Sequence, residues 1–348
     1  MNISTLATHM QLNSSINRVQ RSLFEAQKEI SSGRKADLMA MVKDGAREPV
    51  DLRTMLTETE EYQSTATLTA SRLETMQRVM GSVNDVVTNA RTQALTGRDA
   101  VSRRYLEGMA SGAIAQITSM LNTQLGGRAL FAGIRLDTKP LQEANSVNAA
   151  SGFSPMQAIQ QVIAANGPIT DAASALNVVS GADGLDAIFG DSHSNGNLNF
   201  SSTFYNGATT GAVTARLDHG YDLDYGVRAD NQAFRQVLEG IYMLAAVPYG
   251  SVPDDAFAAW QDEAVTRINA GFQGVIDTAG DLGFKQQMVQ EITDRHDATR
   301  TFLNNRVADL ERADPYETAI RFSQLQTQLE SSFAITTRLA NLTLTKFL

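Results

Sequence analysis

Both ends of the chain carry apolar residues at the alternating three- and four-residue spacing of a coiled coil, which constrains the fold more than any other feature. The N-terminal stripe consists of Leu12, Ile16, Val19, Leu23, Ala26 and Ile30. The C-terminal stripe consists of Phe322, Leu325, Leu329, Phe333, Leu339 and Leu342. An isolated helix with so narrow a stripe buries too little surface to offset its ordering entropy. The stripes are therefore predicted to pair and to be buried further, either by neighbouring chains or within one long intramolecular bundle.

Start and stop signals predict further long helices after the first one. Ser31-Ser32-Gly33 is predicted to end the first helix, because glycine suits the left-handed cap. Pro49 is predicted to open a second helix. Gly97 is expected to end that helix and Asp99 to cap a third one, giving an antiparallel pair. The second helix would bury an apolar stripe formed by Leu73, Met76, Met80, Val83, Val87, Ala90 and Ala94.

The C-terminal part of the chain repeats this plan. A heptad pattern that starts at Val275 and resumes from Leu303 to Leu310 predicts a long helix, with polar residues interrupting it between them. The last helix is predicted to restart with Asp314 as N-cap, Pro315 at the first helical position and Glu317 at the third.

Composition separates a central segment from these helical arms. Residues 141–265 hold 3 basic and 14 acidic side chains, a net charge of −11, whereas the remainder holds 26 basic and 24 acidic ones, a net charge of +2. We therefore predict a mainly α fold, a long antiparallel helical bundle or coiled coil formed by the two arms. The central segment forms a smaller α+β or β-rich insert. Within it, residues 156–165 are expected to form a short helix, and the Gly/Asn/Ser/Asp-dense residues 180–211 short strands and turns.

The same composition argues against several classes of function. The overall charge is acidic, so nucleic acid is not expected as a partner. The chain has no cysteine, which excludes disulfides and zinc-thiolate sites. It has no run of about 18 apolar residues, so no membrane insertion is expected. The first residues lack the pattern of a cleaved secretory signal, although export by another route stays open.

Motifs that would indicate catalysis are absent from the sequence. The four histidines stand apart, and HExxH, GxSxG, GxGxxG and phosphate-loop patterns are missing. Among the carboxylates from Asp218 to Asp230, the stretch that starts at Asp222 resembles the start of a calcium loop, but its twelfth position, where an EF-hand needs glutamate, is Ala233. We therefore predict no enzyme, no cofactor and no metal site, and interpret these carboxylates as solvated turn residues.

The segment GGRALFAGIRLDTKPL, residues 126–141, lies where the first arm meets the insert. Gly126 and Gly127 are predicted to end the third helix. Leu130 and Phe131 are predicted to pack back on the helices as a short extended piece, and Gly133 lies in a small-residue turn. Pro140 marks the transition to the insert. We call these residues the border segment.

Several stretches resemble flagellins and the flagellin-like hook-associated proteins. They are the N-terminal MNISTLATHMQLNSSINRVQRSLFEAQKEISSGRKAD, the border segment, DYGVRADNQAFRQVLEGIYML and the C-terminal DPYETAIRFSQLQTQLESSFAITTRLANLTLTKFL. The border segment is similar to the family's Gly-Arg-aromatic-x-Phe-x-Gly and Thr-x-Pro pattern, with Ala129 in place of the aromatic. This favours the hook–filament junction type, hook-associated protein 3, in an alphaproteobacterial form. The hallmark runs of flagellin are absent, and LMAMVKDGAREP replaces the usual loop within residues 35–49.

The resemblance implies a structural protein of the bacterial flagellum that is secreted through the flagellar export apparatus. Its terminal regions, 1–47 and 314–348, would form an inner layer. Residues 48–140 and 266–313 would form a middle layer, and the acidic insert, 141–265, an outer domain. Implied partners are copies of itself, hook-associated protein 1, flagellin and an export chaperone on the C-terminal helix. The alternatives are a flagellin or, less favoured, a type III secretion tip or translocator protein.

Overall fold

The computed structural model of the chain describes residues 2–36, 48–96, 100–247 and 252–344, with the side chains of 10–36, 48–96, 103–247 and 252–338. Within these ranges the helices are α1 (Asn2–Ser32), α2 (Glu48–Thr96), α3 (Ala100–Leu121), α4 (Pro155–Ala165), α5 (Ala172–Ser180), α6 (Leu185–Phe189), α7 (Phe200–Thr203), α8 (Gln232–Ala246), α9 (Asp254–Glu311) and α10 (Pro315–Leu344). Two antiparallel hairpins pair β1 (Gln124–Leu125) with β2 (Arg128–Ala129) and β3 (Thr214–Asp218) with β4 (Tyr221–Asp224). The predicted fold class, mainly α with a small β part, is confirmed.

The stripe predicted for α2 is buried along its whole length. Every member from Leu73 to Ala94 is at most 1% exposed. Heptad spacing places these residues on one helix face, and their burial supplies the packing energy that a long helix needs. Threonines on the outer face donate their hydroxyl hydrogens to the carbonyl four residues earlier, as Thr75 does to Ser71 and Thr88 to Asn84. These hydroxyl groups therefore find their hydrogen-bond acceptors within the helix itself.

The described residues divide into two compact units. The first consists of residues 1–61 and 296–348 and contains α1, α10, the start of α2 and the end of α9. In this unit α1 and α10 pack against each other. The apolar side chains that are buried in its described part are few: Ile16, Val19, Ala26, Leu303 and Ala313.

The second unit consists of residues 62–295 and has a much larger core. At its centre α8 packs on α3, α4 and α6. Glycines bring α8 close to α9, since a Cβ atom on Gly240 would lie 2.5 Å from the carbonyl oxygen of Ala264. Beside α8 lies an aromatic cluster in which the rings of Phe200 and Phe204 stack at 5.3 Å, and Tyr242 meets Phe204 edge-on at 5.4 Å.

The helix predicted for residues 156–165 is confirmed, with Ser154 and Gln157 forming a capping box at its start. The strands expected in 180–211 are wrong, because this stretch forms α6, a 3-10 turn (Gly196–Leu198) and α7. Its Gly and Asn residues act as helix caps: Gly184 precedes α6, and Asn195 accepts a hydrogen bond from the backbone N–H of Asn197 at the 3-10 turn. Strand-type turns and short helix caps use the same residue types.

Three further expectations concern helix limits. Pro49 lies in the first turn of α2, and Gly33, with φ of +67°, follows the end of α1, as predicted. The long helix of the C-terminal arm begins at Asp254, earlier than the predicted boundary at 266, because Asp254 and Asp255 give α9 an acidic first turn. The predictions for Gly97, Asp99 and most of the 35–49 loop lie outside the described residues. The five-part division of the chain stays a prediction.

Candidate interaction site of the terminal helices

Helices α1 and α10, which carry the two terminal stripes, pack against each other. Ile16 and Val19 are buried, and Leu12, Leu23, Phe322, Leu325 and Leu329 are half-buried. The side chains of Leu339 and Leu342 lie outside the described residues. The structure thus brings most of the described stripe residues into or beside one helix–helix contact.

Other apolar side chains on the same pair remain exposed. Ile30 and Phe333, both members of the stripes, are 48% and 47% exposed, and Phe24 is 69% exposed. Further exposed apolar residues of the pair are Met10, Ile320 and Ile335. Two helices bury only the faces that they turn to each other, so the pair carries apolar surface that the described part of the chain leaves uncovered. Such a surface is typical of a site that another protein covers.

The end of α1 is tied to the joint between α9 and α10 by main-chain hydrogen bonds. The backbone N–H of Lys35 donates to the carbonyl of Glu311 at 2.8 Å, and that of Ala313 donates to the carbonyl of Gly33 at 3.0 Å. The positive φ of Gly33 turns the chain out of α1 and into this short antiparallel bridge. The bridge fixes where α1 and α10 begin to run along each other.

Two buried glutamates reinforce the joint. Glu311, whose side chain is 3% exposed, accepts hydrogen bonds from Arg53 Nε at 2.8 Å and Arg53 Nη2 at 2.5 Å. Glu29 accepts a hydrogen bond from the backbone N–H of Ala36 at 2.9 Å and pairs with Arg321 of α10. Each carboxylate therefore joins segments that are distant in the sequence.

The helical repeat did not predict a role for these four side chains, Glu29, Arg53, Glu311 and Arg321. A signal was present for Glu29. It lies three residues after the buried Ala26 and one before Ile30 of the stripe, so it lies on the same face of α1 as Ala26. A carboxylate beside an apolar stripe indicates an ion pair with a partner segment. Heptad spacing carries no comparable signal for the two arginines, because both remain about half exposed.

The residues predicted to restart the last helix lie at the N-terminus of α10. Asp314 Oδ1 accepts a hydrogen bond from the backbone N–H of Tyr316 at 2.8 Å and from that of Glu317 at 3.3 Å. Pro315 occupies the first helical position, where no N–H is needed, and Glu317 lies in the first turn. The cap fixes the direction in which α10 leaves the joint.

The border segment has a different structure from the one predicted. Helix α3 ends at Leu121, and Gly126 and Gly127 form the two-residue turn of the β1–β2 hairpin with φ of +59° and +76°. Two successive residues of positive φ define a type I′ turn, which glycine adopts without strain. The prediction that these glycines end the third helix is therefore wrong.

The rest of the border segment is anchored in the second unit. Phe131 is fully buried and meets Phe234 edge-on at 6.5 Å, and its carbonyl accepts a hydrogen bond from the N–H of Ala229. Leu130 is also buried, while Pro140 accepts a hydrogen bond from the N–H of Asn206 through its carbonyl. Two features require glycine at position 133. Its φ is +63°, and a Cβ atom there would lie 3.1 Å from Arg228 Cδ.

Ala129, for which the resemblance described above implies an aromatic residue, is closely packed. It is 1% exposed, and its N–H donates to the carbonyl of Leu136 at 2.7 Å. The side chain of Ala129 is thus buried, and its backbone is held by a hydrogen bond.

The carboxylates between Asp218 and Asp230 are engaged in separate interactions. Asp222 pairs with Arg216 across the β3–β4 hairpin at 2.9 Å, which lowers the pKa of Asp222, and Asp218 pairs with Arg295 at 2.9 Å. Asp230 pairs with Arg228 at 2.8 Å. Among the described residues, no group of three or more His, Cys, Asp or Glu side chains is placed so that it could hold a metal ion. In the same ranges, none of the helices combines the length and the apolar character needed to cross a bilayer.

Taken together, the fold and this site define a mainly helical protein whose terminal helices pair and leave apolar surface for another protein. Two family models match the chain: the bacterial flagellin N-terminal helical region over residues 3–135 and the bacterial flagellin C-terminal helical region over residues 263–348. The two matches together cover more than half of the chain. The chain therefore belongs to the flagellin family and is a structural component of the bacterial flagellum.

Comparison with solved structures returns flagellar proteins at low identity. One is a protein from Vibrio parahaemolyticus described as a flagellar hook-associated protein, with 15% identity, a TM-score of 0.49, and coverage of 78% of this chain and 98% of that chain. Another is FlgL from Bacillus cereus, with 13% identity, a TM-score of 0.49, and coverage of 74% and 99%. None of the curated proteins compared with the chain matches it.

Proposed function

We propose that this flagellin-family protein is the junction adaptor between hook and filament, of the hook-associated protein 3 type. It is secreted through the flagellar export apparatus and works at the hook–filament junction. The observation that carries the proposal is the apolar surface left exposed on the paired terminal helices, represented by Phe24, Ile30 and Phe333.

The small core of the first unit supports this proposal. Few apolar side chains are buried there, whereas large ones such as Phe24 and Ile320 remain in water. Burying apolar surface is the main favourable term in association, so covering these side chains with neighbouring copies stabilises an assembly. The chain then polymerises through its terminal helices, which form the inner layer of the tube.

The choice of junction adaptor over filament subunit rests on the sequence. The border segment resembles that of the junction type, and the hallmark runs of flagellin are absent. In the proposed arrangement, residues 48–140 and 266–313 form the middle layer and the acidic insert 141–265 faces outward. Hook-associated protein 1 lies on the hook side and flagellin on the filament side, and a chaperone holds the C-terminal helix before export.

The decisive experiment adds purified protein to isolated hooks that carry hook-associated protein 1. We expect a short ring that stops growing and then accepts flagellin, since an adaptor binds unlike neighbours at its two faces. Electron microscopy of the hook ends measures the length of the added structure. A chain shortened by residues 329–348 is the control, and it should not bind, because it lacks four of the six residues of the C-terminal stripe.

Three outcomes would contradict parts of the proposal. Long filaments grown from the purified protein alone would identify a flagellin. Binding of the shortened chain as tight as that of the full chain would remove the role of the terminal helix. Leakage of dye from lipid vesicles, without any binding to hooks, would favour a translocator.

A further inference from the structure

Three carboxylates surround one guanidinium group where α6, α8 and α9 meet. Arg267 of α9 lies 2.9 Å from Asp186 of α6, 2.5 Å from Glu263 of α9 and 3.7 Å from Glu239 of α8. Together these four side chains carry one positive charge and up to three negative charges. All four belong to the second unit of the chain.

Arg267 donates hydrogen bonds to only two of these three carboxylates. Its Nε donates to Asp186 Oδ1 at 3.1 Å, and its Nη2 donates to both oxygens of Asp186 at 2.9 and 3.0 Å. Its Nη1 donates to Glu263 Oε1 at 2.5 Å. The distance of 3.7 Å between Arg267 Nε and Glu239 Oε1 is too long for a hydrogen bond. Glu239 is therefore the carboxyl group that the guanidinium leaves without a hydrogen bond.

Glu239 is also removed from water. The residue is 4% exposed, and among the described residues its Oε1 has no hydrogen-bond partner. An ionised carboxylate in such a place would bear most of its desolvation penalty without compensation. Burial, followed by the hydrogen bond with Asp186 and the charge of Asp186, raises the pKa of Glu239 to about 9, while Arg267 opposes the shift. At neutral pH Glu239 therefore keeps its proton, and a protonated carboxyl can donate a hydrogen bond toward Asp186.

The other charged groups near this site do not supply the missing partner. Arg235, which lines a cavity together with Glu239 and Arg267, donates to Asp191 at 2.6 Å and to the carbonyls of Asp230 and Phe189. Asp230 is held by Arg228, as described above. The neighbouring helix α4 has no charged residue. The charged side chains of α3 are Arg103, Arg104 and Glu107, of which Arg103 pairs with Asp254.

We propose that Glu239, Asp186 and Arg267 form a proton-dependent latch, which holds α6 against α8 and α9 while Glu239 is protonated and loosens this contact when Glu239 ionises. The latch lies outside the terminal helices and does not depend on the position of the protein in the flagellum. It would make this part of the protein weaker in alkaline surroundings.

The direction of the pH dependence follows from proton linkage. The pKa of Glu239 is higher in the folded protein, about 9, than the ordinary value of 4.5 expected in the unfolded chain. The folded state thus keeps a proton that the unfolded state has lost between these values. The latch's contribution is complete below the lower value and decreases as pH rises toward the upper one.

The test compares the full-length monomer with Glu239→Gln, whose amide donates to Asp186 without titrating. Urea unfolding is measured at intervals between pH 6 and pH 9. Relative to the variant, we expect the unfolding constant of the wild type to rise by up to about tenfold per pH unit, as one bound proton requires. Glu107→Gln, an exposed carboxylate on α3, is the control and should keep the wild-type profile. Parallel profiles for the wild type and Glu239→Gln would overturn the proposal.

A second measurement uses the wild type alone and so remains informative if Glu239→Gln does not fold. Hydrogen exchange of the α6 amides, residues 185–189, is followed at pH 7 and pH 9.5 and corrected for intrinsic base catalysis. The latch predicts lower protection of these amides at the higher pH, while amides of the α2 core change little. Equal protection of α6 at both pH values would refute it.

Discussion

Replacing Phe24 by glutamine tests whether the exposed surface of the terminal helices is an assembly interface. The ring of Phe24 is 69% exposed in the isolated chain. A phenylalanine side chain buries on the order of 150–250 Å², so about 140 Å² remains for a neighbouring copy to cover. At about 25 cal/mol per Å², full coverage contributes roughly 3 kcal/mol per subunit, and half coverage about half of that.

This magnitude predicts a large effect on assembly and a small one on the monomer. Each 1.4 kcal/mol corresponds to about a tenfold change in an equilibrium constant, so half-saturation of hook ends should need about ten to a hundred times more of the variant. The unfolding free energy of the monomer should change by no more than about 0.5 kcal/mol, since the ring is largely solvated and glutamine suits a helix. Quantitative labelling of hook ends and urea unfolding measure the two effects.

The matched control is Leu176→Gln, which removes an exposed apolar side chain from α5 in the insert. This variant should bind hooks at nearly the wild-type concentration, because the insert is proposed to face outward. If Phe24→Gln bound hooks as tightly as the wild type, Phe24 would not be covered in the assembly. The proposed role of the α1–α10 surface would then lose the support of Phe24.

Two further substitutions test the joint and the hairpin. Glu311→Ala should destabilise the first unit by about 1–3 kcal/mol in urea unfolding, since it removes a buried acceptor of two Arg53 hydrogen bonds. Arg306→Ala, which breaks the more exposed pair with Glu48, should cost at most about 1 kcal/mol; equal effects would contradict the burial argument. Gly127→Val should lower the melting temperature, because φ is +76° there and a β-branched residue is strained by about 1–3 kcal/mol. Gly108→Ala, in open space within α3, should not lower it.

Helical periodicity was sufficient to predict the long helices of the arms. The stripe from Leu73 to Ala94 is buried as expected, because a repeat of that length leaves few alternatives to a helix with one packed face. The helix caps at Gly33 and Asp314 could also be predicted from the sequence, since each depends on one residue type at one position. Local signals thus sufficed where a single residue or repeat determines the local structure.

Prediction failed where the same residue types serve two structures. A glycine pair after a helix suits either a helix end or a hairpin turn, and Gly126-Gly127 adopts the hairpin turn because the flanking residues pair as β1 and β2. In 180–211, Gly and Asn cap short helices whose aromatic residues Phe189, Phe200 and Phe204 form one cluster. These outcomes depend on contacts between distant segments, which the spacing of residues along the chain does not encode.

The latch at Glu239 had a sequence signal of a kind that periodicity analysis overlooks. Helix α8, QAFRQVLEGIYMLAA, is apolar on nearly all sides over its second half, and Glu239 is its only carboxylate. A helix that is apolar all round is buried, so an acid within it must have an ion-pair partner or keep its proton. The sequence alone could thus have indicated a buried carboxyl group. It could not have shown that Arg267 donates its hydrogen bonds to Asp186 and Glu263, which leaves the buried Glu239 carboxyl without one from the guanidinium.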